Sequence, residues 1–188
     1  MIRTSMPQNR ILSRKYNLMR KSYLEIVHAN IQNPMQGCEV GVFDGVLSNM
    51  LLSRFPNLHL YLVDCYMKAS YRYTLEVMSE AMKVAHLNTA KFIDRATMLI
   101  GFSHKMVGFV ADNSLDFVYI DANHMKSQVV RDIQCWYPKV RRGGLVSGHD
   151  YDVKRGKYKG VITAVNGFAR DKEYIVRIND TNWWFVKH

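Results

Sequence analysis

Residues 37–64 read GCEVGVFDGVLSNMLLSRFPNLHLYLVD, and this stretch decides the fold. GCEVGV (37–42) is a short apolar run. Leu47, Met50, Leu51 and Phe55 then recur at helical spacing, and LHLYLVD (58–64) is apolar again. A strand, a glycine-bearing turn, a helix and a second strand make one βαβ unit. Strands this continuously apolar are those covered on both faces, as in a parallel sheet.

The same alternation extends outward. ATMLIG (96–101), LDFVYID (115–121) and GLVSGH (144–149) read as further strands. Leu75, Met78, Met82 and Ala85 repeat at helical spacing between them, as do Val129, Ile133, Trp136 and Val140. Near the end, Val161, Val165 and Phe168 mark one more helix. EYIVRI (173–178) and WWFVK (183–187) then flank Asn179-Asp180-Thr181-Asn182, the pattern of an antiparallel hairpin. The expected architecture is a doubly wound, Rossmann-like α/β layer with right-handed crossovers. Residues 1–30 read as a basic, partly amphipathic helical extension (Tyr16, Met19, Tyr23, Ile26, Val27) ahead of a single domain over 31–188.

At 188 residues, with 48% hydrophobic and 22% charged residues, the chain suits one self-sufficient globular domain. No apolar run approaches the roughly 20 residues of a membrane helix, and the N-terminal stretch has no secretory pattern. Cys38, Cys65 and Cys135 form no CxxC pair, so the expectation is reduced thiols in the cytoplasm. The net charge of +10 is concentrated in two places. One holds Arg3, Arg10, Arg14, Lys15, Arg20 and Lys21 against Glu25. The other spans 139–160, where Lys139, Arg141, Arg142, Lys154, Arg155, Lys157 and Lys159 face Asp150 and Asp152. Such clusters suit phosphates or simply a solvated face.

Ligands of open α/β sheets bind beyond the carboxyl ends of the strands. The first strand ends in Glu39-Val40-Gly41-Val42-Phe43-Asp44-Gly45, where Gly41 and Gly45 permit a tight turn. The second ends in Asp64, 23 positions beyond Gly41, the place of an acid that holds ribose hydroxyls. The turn lacks GxGxxG, and the acid Glu39 before it suits a cationic adenosyl ligand better than a dinucleotide. After the fourth and fifth strands come Asp121-Ala122-Asn123-His124 and Gly148-His149-Asp150-Tyr151. On neighbouring strands, Asp121, His149 and Asp150 could share one divalent cation, with His124 facing the same cleft. The alternative makes these acids turn or helix caps and the histidines surface residues.

These motifs resemble those of class I S-adenosylmethionine-dependent methyltransferases, in particular the small sugar, macrolide and catechol O-methyltransferase group. The resemblance runs from about residue 36 to 188 and rests on EVGVFDG, Asp64 and IDANH…GGLVSGHDY. It implies a seven-stranded sheet in the order 3-2-1-4-5-7-6 with the last strand antiparallel. S-adenosyl-L-methionine would lie along Glu39, Gly41, Gly45, Asp64, Phe102, Ser103 and Asp121, with Glu39 and Gly41 at its methionine end and Phe102–Ser103 beside adenine. Asp121, His149 and Asp150 would stand where metal-dependent members hold Mg²⁺, with one expected carboxylate replaced by imidazole. Asp121 and His124 would be catalytic, His124 as general base. The implied acceptor is a hydroxyl on a small molecule or glycan, and a homodimer is compatible with this group. Two other readings remain at this stage: a nucleic-acid methyltransferase, less favoured because no NPPY-like motif follows the fourth strand, and a non-catalytic cofactor-binding protein.

Overall fold

The computed structural model describes residues 10–67, 73–153 and 158–188, with the side chains of 10–19 left out. Tyr16 and Met19 therefore lie outside the described side chains, as do residues 154–157 of the basic 139–160 segment. Seven strands form one sheet in the order β3-β2-β1-β4-β5-β7-β6. They are β1 (Gln36–Val40), β2 (His59–Asp64), β3 (Ala96–Ile100), β4 (Leu115–Ile120), β5 (Val140–Gly148), β6 (Arg177–Asn179) and β7 (Asn182–Val186). β1 to β5 run parallel, while β7 is antiparallel to both β5 and β6. The expected order and the terminal hairpin are both present.

Helices cover both faces. On one lie α1 (Arg10–Asn30), α2 (Val46–Arg54) and α3 (Leu75–Thr89). On the other lie α4 (Ser103–Met106), α5 (Lys126–Trp136) and α6 (Lys159–Asp171). The strand pleat divides the core accordingly. Leu60, Leu62, Phe117, Tyr119 and Leu145 face α1 to α3. Cys38, Val40, Val63, Val118, Ile120 and Val146 face α4 to α6. Following the same alternation, Glu39 and Ser147 sit on the α1 side, which decides what each can reach.

Two boundaries differ from the sequence expectation. Val140, spaced as a helical residue, is the first residue of β5, because a short 3₁₀ turn over Tyr137–Lys139 containing Pro138 ends the helix first. β6 is only three residues long, although EYIVRI is strand-like throughout.

α1 is built into the core. Tyr23 and Val27 are fully buried, and the Tyr23 ring packs 4.0 Å from that of Tyr119. The Tyr23 hydroxyl is 2.8 Å from Ser147 Oγ, and Asn182 Nδ2 donates to Ser22 Oγ at 2.8 Å. In the basic 139–160 segment, Lys139 pairs with Asp112 at 2.6 Å and Arg141 with Asp116 at 2.7 Å, so part of its charge is met within the protein.

Candidate active site

The strand ends meet as the topology requires. The β1–α2 turn is held from both sides: Gly41 N–H donates to the Val63 carbonyl, and Asp121 N–H donates to the Val40 carbonyl. Gly41 has φ +96°, and a Cβ there would lie 2.2 Å from the Asp121 carbonyl oxygen. Gly45 has φ +69°, with Ala85 Cα 3.0 Å from where its Cβ would be. Both glycines thus let the turn press against β4 and α3, a tighter role than ligand approach alone.

Asp64 ends β2 and accepts two backbone N–H groups, from Phe43 at 2.9 Å and from Tyr66 at 2.9 Å, one on each oxygen. A carboxylate has about four acceptor sites, so capacity remains on both oxygens for a pair of ribose hydroxyls. Phe43 and Tyr66 both adopt left-handed backbone, φ 52° and 46°. That region costs an ordinary side chain roughly 1–2 kcal/mol, so Asp64 holds two strained residues in place. Among the described residues, the buried Tyr66 hydroxyl has no hydrogen-bond partner. Sequence reasoning missed Tyr66, since an aromatic after a strand end reads as core.

Glu39 is 3% exposed and accepts from Ser48 Oγ. Burial pushes its pKa up to about 8, against the pull of Ser48 and of Arg20 on α1, so its carboxyl carries a proton near neutrality. A cation bound above it would favour the ionised form.

Asp121, His124 and Asp150 lie together, each offering a ligand atom within 4.8 Å of the others. His124 lies two residues before α5, in the loop after β4. Its Nε2 is 2.6 Å from Asp150 Oδ2 and 3.7 Å from Asp121 Oδ1. Burial disfavours the charged ring, but the two carboxylates outweigh it and raise its pKa to about 10. The neutral imidazole expected from the sequence is thus present only once those carboxylates are otherwise engaged. His149 Nδ1 lies 3.4 Å from Asp150 Oδ1 and 3.7 Å from Asp121 Oδ2, while its Nε2 is 2.9 Å from Thr181 Oγ1. Its pKa is also raised, the same carboxylates overcoming burial. Asp150 sits at φ 61°, and the two imidazoles hold its carboxyl well below the usual range despite burial. A narrow cleft between these groups is lined by Ile120, Asp121, His124, His149, Val161 and Trp183.

The start of α6 closes this side. A Cβ on Gly160 would meet the His124 carbonyl oxygen at 2.5 Å, and Tyr158 stacks on the His124 ring with centroids 4.3 Å apart. Beyond β3, Phe102 is half exposed with its ring stacked on His104, centroids 5.9 Å apart, whereas Ser103 Oγ accepts from Trp136 Nε1 at 2.8 Å and also engages Asp132. The structure therefore gathers Glu39, Gly41, Asp64, Asp121, His124, His149 and Asp150 at one end of the sheet. Ser103 turns its hydroxyl into the α4–α5 contact.

A family model described as a methyltransferase domain matches residues 38–151. No curated protein matches the chain. Among solved structures, a Staphylococcus aureus protein assigned as a caffeoyl-CoA O-methyltransferase superposes with TM-score 0.69 at 17% identity, covering 91% of this chain and 83% of its own. The O-methyltransferase TomG of Streptomyces achromogenes, involved in tomaymycin synthesis and solved with SAM, gives TM-score 0.65 at 13% identity over 90% and 80%. A TDP-rhamnose 3′-O-methyltransferase of calicheamicin biosynthesis gives 0.63 at 14% over 92% and 80%. At these identities the likeness is one of fold.

Proposed function

Because this chain belongs to the methyltransferase-domain family, we propose that it moves a methyl group from S-adenosyl-L-methionine to a hydroxyl oxygen of a small molecule or sugar, with a divalent cation at Asp121, His149 and Asp150. The observation that carries this reading is the convergence of Asp121, His124 and Asp150 beside Asp64 and the β1–α2 turn. That the structural neighbours include a protein assigned as a caffeoyl-CoA O-methyltransferase and a TDP-rhamnose 3′-O-methyltransferase supports the acceptor class.

The residues fit the donor and the ion. Asp64 has acceptor capacity left for ribose hydroxyls, Phe102 offers a ring beside β3, and Glu39 lies beneath the turn as a latent anion. Two carboxylates and the Nδ1 of His149 make a mixed oxygen and nitrogen donor set, and the contact between Thr181 and His149 Nε2 fixes the ring so that Nδ1 faces the carboxylates. When bound, the cation supplies charge that orients and acidifies the acceptor hydroxyl and takes up the carboxylate charge that otherwise keeps the proton on His124. His124 Nε2 would accept the hydroxyl proton as the oxygen bonds to the sulfonium methyl in line, the S–CH3 bond breaking with its electron pair left on sulfur and S-adenosylhomocysteine leaving. Tyr158 steadies the imidazole by stacking, and Gly160 lets α6 close against that loop. Alignment of oxygen and methyl within a near-attack distance of about 3 Å supplies much of the acceleration.

The test is a methyl-transfer assay against hydroxylated sugars and phenols, run with chelator and with Mg²⁺ or Mn²⁺ restored. Product O-methylation that falls with chelator and returns with the ion is expected. Full transfer in excess chelator removes the cation from the reading, and absence of any O-methylated product across the panel removes the acceptor class.

A further inference from the structure

α1 brings a guanidinium to the β1–α2 turn, beside Asp44. Arg20 is one helical turn before Tyr23 and two before Val27, so it shares the face that packs on the sheet. That face is fixed by the Tyr23–Ser147 contact, the Tyr23–Tyr119 ring pair and the bond from Asn182 to Ser22. The Arg20 side chain is 25% exposed, and its Nη2 reaches Asp44 Oδ1, in the β1–α2 turn, at 3.5 Å. This contact is long, and the same Asp44 oxygen already accepts from Val46 N–H at 3.2 Å. A guanidinium has five N–H donors in a planar fork. Among the described residues, Asp44 is the hydrogen-bonding partner recorded for Arg20, so most of its donors are left for another anion.

Glu39 feels the same guanidinium, which favours its ionised form. Arg20 therefore stands at the β1–α2 turn, beyond the end of the strand that lies between β2 and β4, where Asp44, Asp64 and Asp121 would repel an anion. A methyl donor reaching from Asp64 to the His124 cleft must place its amino-acid end over β1.

We infer that Arg20 of the first helix is a cofactor-binding residue that receives the α-carboxylate of the methyl donor's methionine moiety, so that α1 forms part of the donor site. This rests on the methyl-donor reading above. A fork of N–H donors matches a carboxylate bidentately, and its contact with Asp44 aims the guanidinium before the ligand arrives.

The experiment measures calorimetric affinity of the full chain for two stable probes, S-adenosylhomocysteine, which keeps the carboxylate, and 5′-methylthioadenosine, which lacks the whole amino-acid end. Thermal melts of the Arg20→Ala and Arg20→Lys variants establish that each is folded. Arg20→Ala should weaken S-adenosylhomocysteine roughly ten- to a hundredfold, the range for a lost charge-assisted bond. Its affinity for 5′-methylthioadenosine should match wild type, and Arg20→Lys should fall between. Unchanged S-adenosylhomocysteine affinity in Arg20→Ala overturns the inference and leaves Arg20 as a partner of Asp44 only. Equal weakening of both probes also overturns it, because Arg20 would then be supporting the turn. Wild-type protein that binds neither probe overturns the methyl-donor reading itself, an outcome separate from the other two.

Discussion

The two ends of the sheet treat their polar groups in opposite ways. At the amino end of β4 and β5, Asp116 accepts from Met35 N–H, Gln36 N–H and Arg141 Nε. Lys187 donates to Asn113 Oδ1 and to the Tyr137 and Val140 carbonyls, with Tyr137's ring beneath it. Arg95, below β3, caps α2 and the turn after it by donating to Leu52, Phe55 and Leu58 carbonyls. At the carboxyl end, the buried Tyr66 hydroxyl has no hydrogen-bond partner among the described residues, and Glu39 keeps a proton because Ser48 and Arg20 do not fully compensate its burial. Left-handed backbone occurs at both ends, at Asn33, Asn113 and Glu173 near the amino end and at Phe43, Tyr66 and Asp150 near the carboxyl end. One end has its polar groups paired within the protein, and the other leaves polar groups available to the proposed ligands.

If that contrast is right, the largest effect follows from His124→Ala. Turnover should fall by about 10²–10⁴, the usual cost of removing a positioned base, with donor affinity unchanged by calorimetry. Near-wild-type turnover on the true acceptor would move His124 out of the chemistry. Gly41→Ala comes next. The added methyl meets the Asp121 carbonyl at a strained φ, so thermal or urea unfolding should show a loss of roughly 2–4 kcal/mol, with donor binding lost alongside.

Asp64→Ala removes the anchor of Phe43 and Tyr66 together with the proposed ribose acceptor. Its donor affinity should drop about tenfold or more; titration matching wild type would reassign Asp64 to the turn alone. At the opposite end, Asp116→Ala strands three donors and should cost about 1–3 kcal/mol of stability while leaving kcat unchanged. A kcat change there would break the division between the two ends.

The smallest effect is in pH. Folding raises the pKa of Glu39 from 4.5 to about 8, so the native state holds a proton that the unfolded chain has lost across that window. Its contribution to stability is full below 4.5 and is lost as pH rises through about 8. Glu39→Gln should flatten that decline in Tm. The His124 decline, from 6.5 to about 10 and of the same sign, should remain.

Much of the carboxyl end was legible because strand ends are legible. Asp64 and Asp121 each terminate an apolar run, Glu39 lies one residue before the end of β1, and the fold places such ends together. The position of His149 beside Asp121 followed equally from β4 and β5 being neighbours. What could not be read is which side chain meets which across the cleft. His124 turns to Asp150, 26 residues on, only because Gly160 allows α6 to press on its loop. Ser103 looked available until α5 brought Trp136 against it. Arg20 counted as one charge in a basic run, and its separate meaning comes from Tyr23 anchoring α1 to Ser147, 124 positions away.

That anchoring also sets an order of events. The apolar face of α1 rests partly on Trp184, and its Ser22 is bonded to Asn182, so the first described helix docks on the last described strand. β7 in turn must slide between β5 and β6, both already translated. On a ribosome, which makes roughly 5–20 residues per second, α1 would wait through most of synthesis with Tyr23, Ile26 and Val27 unsheltered. Contacts this distant along the chain slow folding, because the closure entropy of the long loop falls due before its reward. A nascent chain halted before residue 182 would therefore lack the final seat for α1 and be a natural client for a chaperone.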